Sequence, residues 1–267
     1  MKRLYIHFLV VTVGQACNLR CKNCGNFAPF APKETLRYDV HTILEKLKII
    51  TKFADIRLLQ IQGGEPFLYS ELFRILEFVK QCPSVKKCLI ATNGTIIPKN
   101  RRGGGEWQIL QDEKFIVRIS NYPVNTDQSS RIQEWCRERG IQSELYHFVS
   151  KDDKWYNLGL EMECHTANDE QQRKAEYRFQ NCLFRNCLTL ENGILGRCSR
   201  SVIAKQVQGF PEKEGDYLPV EEDLEFGERL ERYINIPQHM EACCHCNGTG
   251  RENLIEVALQ LGKDLRE

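Results

Sequence analysis

Three cysteines near the start of the chain are spaced so that they can bind one metal centre. Cys17, Cys21 and Cys24 form a C-x3-C-x2-C pattern directly after an apolar stretch. Soft thiolates bind iron–sulfur clusters and zinc, whereas a structural zinc site takes four ligands. Three thiolates on an iron–sulfur cluster leave one iron open, and that iron can chelate a substrate or cofactor.

A second group of residues with chemical potential ends an apolar run of strand type. Gly63, Gly64, Glu65 and Pro66 follow one another there. Glycine permits close approach of backbone to a ligand, and a carboxylate such as that of Glu65 accepts hydrogen bonds from an ammonium group. A Gly-Pro turn between a strand and a helix is the alternative interpretation.

Two later strand ends also carry polar side chains. Asn93 and Ser120 each come at the end of an apolar run. Ligands gather at the carboxyl ends of parallel strands, so both residues are candidates for cofactor contacts. Ordinary turn chemistry remains the alternative, because Asn-Gly and Asn-Tyr-Pro also favour turns.

Six further cysteines after residue 180 form a second set. A C-x2-C pair within it is typical of both iron–sulfur and structural zinc sites, so a four-cysteine zinc site remains an alternative. If Asn192-Gly193 is a two-residue hairpin turn, Cys187 lies across from Cys198 with Cβ atoms about 5 Å apart. The members of the set are Cys182, Cys187, Cys198, Cys243, Cys244 and Cys246.

The elements that must position these residues alternate between strand and helix patterns up to about residue 148. This alternation predicts an α/β fold with a parallel sheet. Beyond residue 150 we predict one helix within 151–180, one hairpin, and two helices at 221–234 and 252–261. We place a domain boundary that separates residues 1–150 from 151–267. Up to the boundary, strands are predicted at 4–13, 56–61, 87–91, 115–120 and 142–148, and helices at 40–53, 71–79 and 129–139.

Composition restricts the classes of function. The 267 residues are 42% hydrophobic and carry a net charge of +1, which gives no reason to expect a nucleic-acid or membrane partner. The opening apolar run has no small-residue cleavage site and is interpreted as a buried strand. No run approaches the roughly 20 apolar residues of a membrane span, so we expect a cytoplasmic protein. We interpret the scattered Cys82, Cys88, Cys136 and Cys164 as small buried hydrophobic residues.

The cysteine motif after the first strand, followed by Gly-Gly-Glu-Pro, resembles the radical S-adenosylmethionine (SAM) superfamily. The resemblance implies a partial (β/α)6 barrel and a [4Fe–4S] cluster on the three cysteines. It implies that Gly63 to Pro66 hold the methionine amino group of SAM, and that Asn93 and Ser120 contact its ribose or carboxylate. The residue before the third cysteine is usually aromatic in this family but is Asn23 here, so Phe27 is expected to stack near the adenine.

The later cysteines resemble the twitch domain, a shortened SPASM extension that carries an auxiliary [4Fe–4S] cluster. The family spacing, C-x10-G-x4-C followed by C-x2-C, implies Cys182, Cys198, Cys243 and Cys246 as its ligands, with the Cys187 version as the alternative. Cys187 and Cys244 are then spare thiols, and in related epimerases such a thiol donates a hydrogen atom.

The resemblance also implies an activity. SAM is cleaved reductively to a 5′-deoxyadenosyl radical, which abstracts a hydrogen atom from a small polar, carbohydrate-like or peptide substrate. Epimerisation or oxidation follows, with an electron donor such as flavodoxin or ferredoxin as a partner. A peptide maturase that forms a cross-link, or an activase that places a radical on a partner protein, is the alternative.

Overall fold

A parallel sheet forms the centre of the fold. The computed structural model describes residues 3–98, 105–160 and 167–262. Its parallel strands are β1 (Leu4–Thr12), β2 (Ala54–Gln62), β3 (Val85–Thr92), β4 (Phe115–Asn121), β5 (Ser143–His147) and β7 (Leu188–Glu191). They lie in the spatial order β5-β4-β3-β2-β1-β7, with every neighbouring pair parallel. The α/β class with a parallel sheet is therefore confirmed.

Three amphipathic helices cover one face of this sheet. They are α1 (Val40–Phe53), α2 (Leu72–Gln81) and α3 (Thr126–Glu138). The Asp39 carboxylate begins α1 by accepting from the Thr42 backbone N–H at 2.9 Å, a typical N-cap. Their apolar residues pack on alternate strand residues such as Leu59 and Ile90 to form the main core.

The opposite face of the same strands is more polar. Side chains alternate between the two faces along a strand, so the neighbours of the core residues point away from the helices. These neighbours include Gln60 and Gln62 on β2 and Arg118 and Ser120 on β4. A polar sheet face opposite the helices is suited to a polar ligand rather than to further packing.

A hairpin from the second half of the chain extends the sheet. β7 pairs antiparallel with β8 (Ile194–Gly196), which pairs with β9 (Leu218–Pro219). Asn192 and Gly193 both have positive φ, 46° and 84°, as the predicted two-residue turn requires. Residues on both sides of the predicted domain boundary thus contribute to one eight-stranded sheet.

The prediction of a helix at 252–261 is wrong. A short 3-10 helix, Arg251–Asn253, is followed by β10 (Leu254–Glu256), which pairs antiparallel with β6 (Lys154–Tyr156). These tertiary backbone pairings override the weak helical periodicity. The helix predicted at 221–234 begins later, as α6 (Phe226–Asn235), and the remaining helices are α4 (Asp169–Gln180), α5 (Ser201–Gln208) and α7 (Glu241–Cys244).

Some predictions concern residues at the limits of the described ranges. The three successive glycines at 103–105 predict a loop over 101–106, of which residues 101–104 lie outside the described residues, as does Cys164. Cys88 and Cys136 are fully buried in the main core and Cys82 packs against it. Within the described ranges, no helix has the length and apolar character needed to cross a membrane.

A buried carboxylate ties the hairpin to the first half of the chain. Glu191, the last residue of β7, is 0% exposed. Its Oε1 accepts from Gln15 Nε2 at 3.0 Å and from the Tyr38 hydroxyl at 2.7 Å. Burial raises the pKa of Glu191 to about 7, against these two hydrogen bonds, which lower it.

The raised pKa predicts a pH-dependent loss of stability. The fold favours the neutral carboxyl, so the contribution of Glu191 is complete below its ordinary pKa of 4.5 and is lost as the pH rises to about 7. As the pH rises, the free energy of unfolding of the unaltered protein should fall by roughly 3 kcal/mol more than that of Glu191→Gln, whose amide cannot ionise. Denaturant unfolding of both metal-free proteins at pH 4.5 and 8 measures this, and equal pH dependence in the two would contradict it.

Candidate functional site

The loop after β1 lies in direct contact with the loop after β2. The backbone N–H of Gly64 donates to the Gly14 carbonyl at 2.9 Å, and that of Glu65 donates to the Ala16 carbonyl at 2.8 Å. A Cβ on Gly63 would lie 2.2 Å from the Gly14 oxygen, and one on Gly64 would lie 2.3 Å from the Ala16 oxygen. The two glycines are therefore required for the contact between the loops.

Glu65 is held by three hydrogen bonds at the carboxyl end of the sheet. Its carboxylate accepts from the Phe67 N–H at 3.0 Å, the Thr92 hydroxyl at 2.9 Å and the Asn93 N–H at 2.7 Å. Burial nevertheless raises the pKa of Glu65 to about 7, because desolvation outweighs these bonds. A cationic ligand group would stabilise the ionised form. Pro66 begins the 3-10 helix that follows and is buried.

The three thiols of the first cysteine motif lie together beside this carboxylate. Burial, with a smaller contribution from charge on Cys24, raises the pKa of Cys17 to about 12 and that of Cys21 to about 11. N–H donors face two of the sulfur atoms. Cys17 Sγ accepts from the Leu19 backbone at 3.4 Å and from Asn93 Nδ2 at 3.5 Å. Cys21 Sγ accepts from Gln260 Nε2 at 3.1 Å.

Of the two polar strand-end candidates, Asn93 joins the cysteine loop to Glu65. Besides its bonds to Cys17 and Glu65, its amide donates to Asn18 Oδ1 at 3.0 Å. Ser120 lies half-buried at the end of β4, and its carbonyl accepts from the buried Asn125 amide at 2.9 Å. Asn125 also donates to the Asn93 carbonyl and so joins the ends of β3 and β4.

Tyr122 is a site residue that the sequence analysis missed. Burial raises its pKa, and charges on all three cysteines of the first motif raise it further. Its ring packs against Phe148 at 5.5 Å and Trp155 at 5.4 Å between centroids. Its position directly after the Ser120-Asn121 strand end is the signal that could have revealed it, since strand ends carry ligand contacts.

The Phe27 ring, expected to stack near the adenine, is enclosed within the protein. The ring is 1% exposed and belongs to a second hydrophobic core with Ile203, Phe210 and Met240. The Arg200 guanidinium lies 4.9 Å from the ring centroid. A ring enclosed in this way has no free face for adenine, so we do not propose Phe27 as a SAM contact.

Four of the later cysteines line one cavity of about 40 Å³. Each of the Cys182, Cys198 and Cys243 thiols has a pKa raised by burial, with charge on other cysteines of the same four raising it further. Backbone N–H groups face two sulfur atoms, Phe184 to Cys182 at 3.4 Å and Gly248 to Cys246 at 3.3 Å. The four are Cys182, Cys198, Cys243 and Cys246, the set that the family spacing implies.

The two spare thiols are absent from the lining of this cavity. Cys187 is buried, and its Sγ faces the Leu188 carbonyl at 3.8 Å. Burial, together with charge on Cys198, raises the pKa of the Cys187 thiol to about 12. Cys244 is also buried, and charge on Glu241 adds to the effect of burial in raising its pKa to about 11.

Both cysteine sets fit iron–sulfur clusters by the chemistry of their donors. Partly buried thiols with N–H groups directed at sulfur favour thiolate once a metal replaces the protons. Within the described parts of the chain, no three His, Cys, Asp or Glu side chains are grouped to share a single metal ion. In a [4Fe–4S] cluster each cysteine binds a different iron, so its thiolates stand further apart.

The fold and this site define an α/β protein with a three-cysteine metal loop at the carboxyl end of a parallel sheet. Residues 11–142, about half of the chain, match the sequence profile described as the radical SAM superfamily. The chain therefore belongs to this superfamily through that region. The cysteine motif, Gly63 to Pro66, Asn93 and Ser120 all lie inside the match.

Curated relatives match over about a third of the chain. A GTP 3′,8-cyclase of Acidothermus cellulolyticus is 31% identical over 98 residues, which cover 35% of this chain and 27% of the relative. A GTP 3′,8-cyclase of Stenotrophomonas maltophilia is 33% identical over 101 residues, which cover 36% of this chain and 29% of the relative. The match thus spans under a third of the length of these relatives.

Solved structures share the fold. BtrN in complex with AdoMet and 2-DOIA superposes with a TM-score of 0.58 at 14% identity, covering 98% of this chain and 100% of that one. Streptococcus suis SuiB bound to the precursor peptide SuiA superposes with a TM-score of 0.56 at 14% identity, covering 87% of this chain and 65% of that one. The likeness to BtrN extends beyond residue 142 to nearly the whole chain.

Gly64→Ala should displace the cysteine loop. The new Cβ would meet the Ala16 oxygen at 2.3 Å, so we expect a loss of about 1–3 kcal/mol in unfolding free energy and reduced iron content after reconstitution. Gly262→Ala is the control, because a Cβ there would meet nothing within 4 Å. Unfolding curves and iron analysis measure both effects, and a Gly64→Ala protein that matches the control would show that the contact is dispensable.

Proposed function

We propose that this chain is a radical SAM enzyme that cleaves SAM reductively and abstracts a hydrogen atom from a substrate C–H bond. The observation that carries the proposal is the backbone contact of Gly14 and Ala16, directly before the Cys17–Cys24 loop, with the Glu65 loop. It places three thiols, that of Cys21 buried and those of Cys17 and Cys24 partly buried, next to a buried carboxylate that accepts hydrogen bonds. When bound, the cluster supplies the electron that cleaves SAM to a 5′-deoxyadenosyl radical.

The chain's own residues bind and orient the cofactors. Cys17, Cys21 and Cys24 hold the cluster, while Glu65 accepts from the methionine ammonium of SAM. The Thr92 hydroxyl and the Asn93 N–H fix the Glu65 carboxylate in position. Tyr122, which lies near all three thiols, shields this end of the sheet from water together with Phe148 and Trp155.

We propose a second, auxiliary [4Fe–4S] cluster in the twitch-like C-terminal part. Its ligands are Cys182, Cys198, Cys243 and Cys246, because these four line one cavity and Cys187 does not. Arg197 and Arg200 also line this cavity, and their charge favours bound thiolates. The second hydrophobic core lies between the two cysteine sets, since Phe27 follows the first motif and Cys198 and Cys243 pack against the same core.

The polar sheet face supports a small polar substrate. Arg118 donates to Gln60 at 3.3 Å, Gln60 donates to Gln62 at 2.7 Å, and Gln62 donates to Asn26 at 3.3 Å. Asn26 in turn donates to the Gly63 carbonyl at 3.0 Å. This series of side chains runs from the sheet to the proposed SAM loop. The Arg118 guanidinium is also paired with Glu144, whose Oε2 lies 3.6 Å from Nε, and it lies 4.6 Å from the centroid of the Tyr146 ring.

The names of similar proteins include both substrate classes. GTP 3′,8-cyclases and BtrN with 2-DOIA are consistent with a small molecule, whereas SuiB binds the precursor peptide SuiA. A cross-linking peptide maturase and an activase of a partner protein are the alternatives. Transfer of deuterium from candidate substrates into 5′-deoxyadenosine separates them, and transfer only from a peptide or protein would contradict a small-molecule substrate.

The central proposal predicts 5′-deoxyadenosine formation. After anaerobic reconstitution with iron and sulfide, the protein with dithionite and SAM should release 5′-deoxyadenosine, measured by chromatography. Cys21→Ala should abolish the product because one ligand of the cluster is lost, while Cys88→Ala, in the core, should retain it. A preparation with full iron and sulfide content that forms none would overturn the assignment.

A cysteine series tests the second cluster and the fate of the substrate radical. The unaltered protein should hold about eight iron and eight sulfide ions, and Cys182→Ala should lose about half of each. Cys187→Ala should retain both clusters. Loss of the second cluster from Cys187→Ala, with retention in Cys182→Ala, would favour the Cys187 version of the site. Zinc without sulfide at the second set would indicate a structural zinc site.

The same series separates epimerisation from oxidation. If Cys187 or Cys244 donates a hydrogen atom, the corresponding Ala variant should still cleave SAM but stall epimerisation, measured by solvent deuterium in the product. Full turnover in both variants would exclude the thiol step. An oxidised product would then point to a dehydrogenase, with flavodoxin or ferredoxin as the proposed donor for SAM cleavage.

A further inference from the structure

The segment 258–262 lies along the first cysteine loop. The Lys22 N–H donates to the Leu259 carbonyl at 2.7 Å, and the Leu261 N–H donates to the Arg20 carbonyl at 2.8 Å. Cys21 and Gln260 form an antiparallel bridge between these two bonds. The loop that carries the proposed cluster ligands is therefore paired with a segment from the other end of the described chain.

The side chain of Gln260 is fixed by three contacts. Its Oε1 accepts from the Arg20 backbone N–H at 2.8 Å. Its Nε2 donates to the Ala258 carbonyl at 2.7 Å and to Cys21 Sγ at 3.1 Å. A backbone N–H can only donate, so the oxygen of the amide must face Arg20 and the nitrogen must face the sulfur.

An N–H donor has a defined effect on a cysteine that binds an iron–sulfur cluster. Uptake of one electron from an external reductant adds one negative charge to the cluster, part of which is carried by its sulfur atoms. A hydrogen bond to sulfur stabilises that charge, so it favours the reduced form and raises the reduction potential. The bond is partly buried, which strengthens the interaction because the local dielectric is lower than that of water.

We propose that Gln260 is a positioning residue that orients Cys21 and raises the reduction potential of the SAM-binding cluster through its N–H···S bond. The proposal rests on the function proposed above, which supplies the cluster. It assigns a role to the 258–262 segment, which lies outside the region that matches the superfamily profile. The expected consequence is a cluster that a weaker reductant can reduce.

The test is an anaerobic redox titration followed by electron paramagnetic resonance. The signal that changes on addition of SAM identifies the cluster at Cys17, Cys21 and Cys24. Gln260→Met, similar in length but without donor or acceptor, should shift its midpoint potential to a more negative value. Gln260→Glu keeps an acceptor for the Arg20 N–H but removes the donor and adds charge, so its shift should be at least as large.

Gln111→Met is the matched control. Gln111 also donates from Nε2 to a backbone carbonyl, that of Arg139 at 2.8 Å, but makes no contact with cysteine among its described bonds, so its variant should keep the original potential. If Gln260→Met binds less iron, Gln260→Glu provides the measurement. Unchanged potentials in Gln260 variants with full iron content would overturn the proposal. An unaltered protein without a SAM-responsive signal would instead contradict the proposed function.

Discussion

The backbone contact between the loops after β1 and β2 is the constraint on which the site depends. Gly63 and Gly64 allow the Glu65 loop to lie against residues 14–16, and the three cysteines follow directly. Because the contact is made by backbone atoms, it fixes where the thiol loop begins without using any of its side chains. Glu65 is anchored in turn to the end of β3 by Thr92 and Asn93.

The second half of the chain completes this arrangement. β7 extends the sheet beside β1, and the buried Glu191 carboxyl connects it to Gln15 and Tyr38. Phe27 inserts into the hydrophobic core formed by α5 and the chain before α7. The two cysteine sets are thus held by one continuous structure, and each set takes part of its surroundings from the other half of the chain.

The parts of the fold that depend on local pattern could be predicted from the sequence. The helix at 40–53 was predicted with its observed bounds, because its apolar period is a local signal. The hairpin at Asn192-Gly193 follows from turn chemistry. The segment 252–261 was mispredicted because its conformation is set by pairing with β6 and with the cysteine loop, which no local pattern records. The burial of Phe27 and the place of Tyr122 beside the thiols also depend on tertiary contacts.

The pairing of Cys21 with Gln260 has a consequence for how the protein is made. The two residues are 239 positions apart, and a ribosome synthesises the thiol loop long before the segment that pairs with it. Closing so long a loop carries an entropic cost that must be met by contacts formed elsewhere in the fold. The cysteine loop can therefore gain this pairing only once the chain has been synthesised as far as residue 260. Iron and sulfide delivered to a shorter nascent chain would meet thiols that lack the Gln260 contact.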